Sequence, residues 1–566
     1  MLLRKVTTNS GGYIAKTFAP AAFRFITTKK PASQQDVSAS QLGAIQQVNE
    51  ANLVAWQKAR PFEEVPKVNA LKLILKFSPG GAYAKLDFND LVATMLKDYG
   101  PFFMLPAMMG RPKILVTHNP DDFENLFRNE GIWPIRPFSE TIRYHRNKWR
   151  ADYFQGVEGA IATLYLIIYT RRSHRQGAQW NAFRKVVNPL LVQPKNIKMY
   201  AKKLAQVNQE FVDRIRLIRD PQTLEMPADF EQCLQRWTFE SVAVVALDKR
   251  LGLLRDDQGE NFADALRLFS ALNVFMALSF DLDYKPTLWR YIATPKFKRL
   301  MRAMDDIQTL TGRFINETIQ KLQLESQQGY KARPEHEQSI LERLLKKDQK
   351  IATVMAMDML MAGVDTTSSL AVGALLCLAK HPEKQALLRE EVKRVLPQKD
   401  GEFIEDALSK APYLRACLKE SLRVYPVAIG NMRVPQNDLV LSGYQVPKDT
   451  YVSMIFTTLQ ANARYYARPL EFLPERWLRE CGDTEVPPEG CVQSIKASSP
   501  FVYLPFGFGP RGCLGRRISE LEVGLGIARL VRNFQIEFNY PTEKAFKGML
   551  INVPNLPLKF KFTDID

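Results

Sequence analysis

None of the six cysteines in this 566-residue chain forms a CxxC pair; Cys233, Cys377, Cys417, Cys481, Cys491 and Cys513 lie scattered. That excludes a zinc ribbon, a redox dithiol and a dense disulfide scaffold, and it fits a reducing compartment. The five histidines are equally dispersed, so nothing has the spacing of a metal centre built from several side chains. No repeat period and no long low-complexity tract appears. Nor does any recognised nucleic-acid-binding motif accompany the basic charge. Acid is missing from the first 35 residues, which carry Arg4, Lys5, Lys16, Arg24, Lys29 and Lys30 but no Asp or Glu before Asp36. A basic, Ser/Thr-rich, acid-free start predicts a mitochondrial transit peptide over residues 1–35. No run of about twenty apolar residues follows it, so no N-terminal membrane anchor is expected.

What is present is a globular composition, 46% hydrophobic and 24% charged, with enough apolar material for a large core. The formal charge is +18, and most of that surplus lies beyond the leader. It favours an acidic partner or an anionic membrane surface. Residues 36–60, rich in Gln, Ala and Ser, read as a linker. Strand and turn signals follow to about 120, and helical periodicity dominates 180–430. The polar stretch QLESQQGYKARPEHEQ (322–337) reads as a loop, and 431–475 as short strands and turns. Within the latter, LVLSGYQVPKDTYVSM resembles a hairpin turning near Gly443 and Pro447. Residues 514–533 are helical again, and LPLKFKF (556–562) alternates as an edge strand does. The expected fold is therefore mainly α with minor β, in one large domain over 61–566.

The chemistry is concentrated near the C-terminus, in FGFGPRGCLGRRISELEVG (506–524). Gly507, Gly509, Gly512 and Gly515 surround Cys513, allowing tight turns and the approach of a flat ligand to the main chain. A helix beginning just after Cys513, together with Arg511, would stabilise a thiolate. Such a thiolate is a nucleophile or a metal ligand, haem iron included. No histidine lies near in sequence to activate a nucleophile.

The pattern F-x-x-G-x-R-x-C-x-G, met at Phe506, Gly509, Arg511, Cys513 and Gly515, resembles the cytochrome P450 family of haem-thiolate monooxygenases. The resemblance covers about residues 60–562 and implies haem b, with Cys513 as the axial ligand of its iron. Further motifs agree. KESLR places Glu420 and Arg423 one helical turn apart, and FLPERW supplies Arg476; in the family these three form a structural network. MLMAGVDTTSS matches the family's oxygen-groove motif at Ala362–Thr366. Thr366 is expected to bond back to the Ala362 carbonyl, and Asp365 and Thr366 to relay the protons that dioxygen cleavage consumes. By resemblance, Trp180 and Arg184 of WNAFR, Arg433 of NMRVP and Arg511 contact the haem propionates.

Gly515-Arg516-Arg517 with Glu520 looks like the mitochondrial class. Arg415, Lys419, Arg516 and Arg517 are then expected to bind an adrenodoxin-like ferredoxin, reduced by its NADPH-dependent reductase. The stretches ARPFEEVP and QPKNIKMY look most like insect mitochondrial members linked to xenobiotic metabolism. The implied reaction inserts one oxygen atom from O2 into a small lipophilic substrate, xenobiotic or steroid-like, on the matrix side with peripheral contact to the inner membrane. A haem-thiolate isomerase or dehydratase acting on hydroperoxides, and a non-enzymatic haem or lipid carrier, are the alternatives. LNVFMALSF (272–280) and PVAIG (426–430) are candidate pocket or core segments. One stretch departs from the family: LYLIIYTRRSHR (164–175) reads as a real insertion, a membrane-touching patch or, the favoured reading, translated intron sequence, whose presence would disturb the Trp180–Arg184 helix.

Overall fold

The computed structural model describes residues 54–565, apart from 132, 138, 162–172, 256–258, 260, 329–332 and 479–498. The chain divides into two units, Met1–Ala55 and Trp56–Asp566. The transit peptide and most of the linker thus lie outside the described residues, as do 164–172 of the unusual stretch. The linker ends earlier than expected. Trp56–Arg60 already belong to the larger unit; Arg60 N donates to Gly443 O at 2.9 Å and its guanidinium stacks on Tyr444 at 3.9 Å.

The larger unit is built around one 32-residue helix, Gln349–Lys380, here α3. Asp348 caps its start, accepting from Ile351 N at 2.8 Å. Its side chains are apolar almost all round, so the helix has to be enclosed, and nearly all of Ala352–Leu378 is buried. Among the described residues it is one of two helices long and apolar enough to cross a bilayer, Phe262–Asp283 being the other. Its burial inside the body accounts for that composition. Packed on α3 are α2 (Phe230–Ala246), α4 (Pro412–Val424) and α5 (Arg516–Asn533), while α1 (Ser173–Leu191) packs on the short helix Ile340–Leu345 that precedes α3. The closest helix approach is made possible by Gly363, where an added Cβ would stand 2.9 Å from Val242 on α2. Thr238 on α2 reinforces it, donating to the Val364 carbonyl at 3.1 Å.

The main sheet has four strands, β1 (Phe102–Leu105), β2 (Ile114–Thr117), β3 (Gly430–Arg433) and β4 (Tyr451–Ile455), in the order β1-β2-β4-β3. β2 and β4 run parallel and the other pairs antiparallel. Three readings of local structure need correction. The expected hairpin of 439–454 is split: Leu439–Leu441 pairs with Tyr444–Val446, while Tyr451–Ile455 joins the main sheet. Ser442 and Gly443 make the two-residue turn with φ of 47° and 78°, the left-handed pair that suits strand twist. The polar stretch from 322 does not open as a loop, because helix Pro295–Gln327 runs through its first six residues. Only Lys561 and Phe562 of LPLKFKF enter a strand, Lys561–Asp564, which pairs with Phe534–Glu537. Polar side chains on the outer face of a helix and alternation in a short segment are both compatible with loop, and packing decides.

Candidate active site

Cys513 is held by its own loop. Gly507 and Gly509 take φ of 71° and 69°, which strains any other residue, and a Cβ at Gly509 would meet Glu130 Oε1 at 2.8 Å. Cys513 N donates to Phe506 O at 2.9 Å, closing the loop just before α5 begins. Cys513 is exposed. Burial pushes the thiol pKa up; the N–H groups of Gly515 and Arg516 and the charges of Arg136 and Arg184 pull it back without cancelling that rise. The N–H groups at the helix start do favour the thiolate, as the sequence suggested, with Arg136 and Arg184 as the cations that join them. A bound metal cation would favour it further.

Four guanidiniums gather beside this loop. Arg433, at the end of β3, ion-pairs with Glu130 at 2.5 Å and donates to Asn431 Oδ1 at 2.7 Å. Arg184, on α1, braces the cysteine loop through Pro510 O at 2.8 Å. Arg511 donates to Pro134 O at 2.7 Å and lies 3.5 Å over the Trp180 ring. Arg136, which no motif pointed to, is the fourth. Burial and the three neighbouring guanidiniums push Arg511 down to about 7; burial first, then the other cations, also lowers Arg136. The cluster is short of negative charge. Trp180 Nε1, Arg184 Nε and Arg433 Nη2 are buried donors without an acceptor among the described residues. A flat ligand with two carboxylates and a thiolate-seeking metal fits that donor set, and haem is such a group. α1 runs unbroken from Ser173, so residues 173–175 of the unusual stretch open the helix that carries Trp180 and do not disturb it.

On α3, Thr366 Oγ1 donates to Ala362 O at 2.6 Å, as the sequence suggested, and the helix continues past it. Asp365 is buried, and desolvation pushes its carboxyl up to about 6 against a bond from Gln235. That bond, Gln235 Nε2 to Asp365 Oδ1, measures 2.9 Å. The expected acid–alcohol pair is thus adjacent in sequence, while each member bonds elsewhere. Gly363 faces α2. Of the candidate pocket segments, Leu272, Phe275 and Phe280 belong to the main core.

Glu420 lies at the centre of a closed network. Arg423 grips it with Nε at 3.0 Å and Nη2 at 2.8 Å. Arg476 Nε and Leu473 N reach Oε1 at 2.9 and 3.0 Å, and Trp477 Nε1 reaches Oε2 at 2.7 Å. The other donors of Arg423 hold the carbonyls of Gln460, Pro469 and Glu471. Trp477 was not legible as a member, because no charge or spacing marks it. Nearby, Arg415, Lys419, Arg516 and Arg517 line one groove of about 1100 Å³, to which Phe506 and Gly507 of the cysteine loop also contribute. Burial and then the adjoining Arg415 and Arg516 push Lys419 down. Glu520 ties Arg516 at 2.8 Å and Arg517 at 3.4 Å.

The family model described as cytochrome P450 matches residues 164–562. The chain belongs to the cytochrome P450 family. This P450 is 53% identical over 513 residues to probable mitochondrial cytochrome P450 12a5 of Drosophila melanogaster, covering 90% of this chain and 92% of that one. It is 52% identical over 514 residues to cytochrome P450 CYP12A2 of Musca domestica, with the same two coverages. A solved structure, retinoic acid bound cyanobacterial CYP120A1, superposes with a TM-score of 0.66 at 19% identity, covering 90% of this chain and 100% of that one. That likeness shows the fold. The family and the fold use a haem-thiolate cofactor, and this P450 is accordingly a monooxygenase.

Proposed function

We propose that this P450 works in the mitochondrion, takes electrons from an adrenodoxin-like ferredoxin and inserts one atom of O2 into a lipophilic xenobiotic or steroid-like substrate. The observation that supports it most is the set of orphaned donors and crowded guanidiniums beside the Cys513 loop. When bound there, haem supplies the dioxygen activation and the electron-accepting iron. Cys513 would hold its iron through the thiolate. Trp180, Arg184, Arg433 and Arg511, joined by Arg136, offer donors to the two propionates, with charge assistance from each guanidinium. The Phe506, Gly509 and Gly515 positions keep the loop open for that contact. Thr366 and Asp365 hold and move protons there.

The groove of Arg415, Lys419, Arg516 and Arg517 presents cations next to the cysteine loop, so an acidic ferredoxin, reduced by its NADPH-dependent reductase, is steered there. Mitochondrial names among the relatives agree with the acid-free leader. Exposed Leu71 and Leu75, on the helix Ala70–Phe77 with Lys72 and Lys76, suit peripheral contact with the inner membrane.

The test is reduction of the mature chain, residues 36–566, under carbon monoxide. A thiolate-type Soret band is expected, and its loss in Cys513→Ala. A band that survives that substitution places the ligand elsewhere. With ferredoxin, reductase and NADPH supplied, Thr366→Ala should divert electrons to peroxide; unaltered coupling would remove the relay role.

A further inference from the structure

Dioxygen cleavage consumes protons, yet Asp365 is only 6% exposed and cannot be reached by bulk water directly. α2 covers it. Gly363 and Thr238 clamp the two helices together, and Gln235 spans the gap to Asp365 Oδ1 at 2.9 Å. One turn before Gln235, on the same face of α2, stands Glu231, part-buried and part-open to solvent. Two charged groups face it from other elements, Asp365 on α3 and Lys547 on the strand Phe546–Gly548. Burial, then the Asp365 charge, pushes Glu231 up to about 7, Lys547 acting against them. A carboxyl partly open to solvent and a buried one beside Thr366 thus stand on facing helices, and Gln235, one turn on from the outer carboxyl, bonds the inner one. Neither Glu231 nor Gln235 belongs to a motif read from the sequence.

We propose that Glu231 loads protons from solvent and hands them to Asp365, with Gln235 as the positioning residue that holds the Asp365 carboxylate in its receiving orientation. The proposal rests on the monooxygenase reading of the site. One proton moves at each step. Glu231 carboxylate takes it from a solvent acid. After Asp365 has delivered its own proton inward, its carboxylate oxygen receives the Glu231 proton as the Gln235 amide swings aside. Glu231 is then a carboxylate again, ready to reload. No electron changes place.

Two measurements test it. Infrared difference titration of the holoenzyme reads the carboxyls without turnover. A band titrating near pH 7 should vanish in Glu231→Gln and shift to lower pH in Asp365→Asn, because the Asp365 charge helps to raise it. The second measurement is coupling with ferredoxin, reductase and NADPH, using 7-ethoxycoumarin as the lipophilic probe and released peroxide as the uncoupled product. Glu231→Gln should lower product per NADPH at pH 8 by roughly tenfold, with a smaller deficit at pH 6, where solvent acid is more abundant. Glu231→Asp should recover part of the loss, and the carbon monoxide spectrum should be unchanged in both variants. A wild-type pH profile in Glu231→Gln, or a Glu231 band that titrates in the ordinary carboxylate range and ignores Asp365→Asn, overturns the proposal. A missing Soret band in the wild type would instead break the monooxygenase reading, and the infrared result would still decide whether the two carboxyls are coupled.

Discussion

Two arginine clusters in this P450 look alike in composition and differ in completeness. Around Glu420, each carboxylate oxygen accepts from more than one donor, and the remaining Arg423 nitrogens are taken up by backbone carbonyls. Around Cys513, Arg136, Arg184, Arg433 and Arg511 crowd together, Arg433 ion-paired with Glu130, and Trp180 Nε1 has no acceptor among the described residues. Buried polar groups cost free energy unless they are paired. A closed cluster behaves as a structural joint, and in the proposed reading the open one offers donors to the haem propionates.

The difference is most severely tested by breaking the closed cluster. Glu420→Ala strands two buried guanidiniums and should cost ~3–5 kcal/mol of unfolding free energy, read by urea titration of the apoprotein. A loss below about 1 kcal/mol would mean that the network behaves like a surface pair.

Next in size is Asp365, which is buried with a single amide partner and so lies between the two cases. Its pKa is raised to about 6 from an unfolded value near ~4. The folded state holds the proton more tightly, so this carboxyl lowers stability progressively as pH rises from about 4 to about 6, and the deficit persists above that. Asp365→Asn should be more stable than the wild type by up to ~3 kcal/mol at pH 8, the two converging toward pH 4, while coupling falls. Equal stability at pH 8 would show that the carboxylate is better solvated than its burial implies.

The smallest effect is the sharpest comparison, because it uses one tryptophan from each cluster. Trp477→Phe removes a bond to Glu420 and should cost the apoprotein ~1.5–3 kcal/mol. Trp180→Phe removes a donor that has no protein partner. It should leave apoprotein stability within ~0.5 kcal/mol and weaken haem retention instead, by about 1 kcal/mol or fivefold. Equal apoprotein losses in the two variants would erase the distinction between the clusters.

Several parts of this site were legible in advance because they are local. Thr366 and Ala362 are four residues apart on a helix, and Glu420 and Arg423 three, so helical geometry alone brings them together. The Gly507 and Gly509 turns follow from what those residues permit. Trp477 escaped notice despite adjoining Arg476, since an indole N–H carries no pattern of its own. Arg136 and Glu130 escaped for a different reason: they lie more than 40 positions before Trp180 in a segment without periodicity. The shared groove of Arg415, Lys419, Arg516 and Arg517 agrees with a family-level expectation, yet the Glu520 bonds that partly neutralise it depend on side-chain rotamers.

By itself, then, the sequence determined the elements and the turns: the apolar helix over Gln349–Lys380, the strained loop that presents Cys513, and the one-turn pairs along α3 and α4. These depend on interactions within a few residues, which the backbone geometry dictates wherever the chain goes. Only the tertiary structure decided the charge balance. Residues 130, 136, 184, 433 and 511 meet because helices and sheet pack around one core, and burial there pushes the Cys513 thiol up, crowds the guanidiniums and sets Glu231 beside Asp365. Desolvation depends on what surrounds a group on every side, and most of those surroundings come from distant parts of the chain.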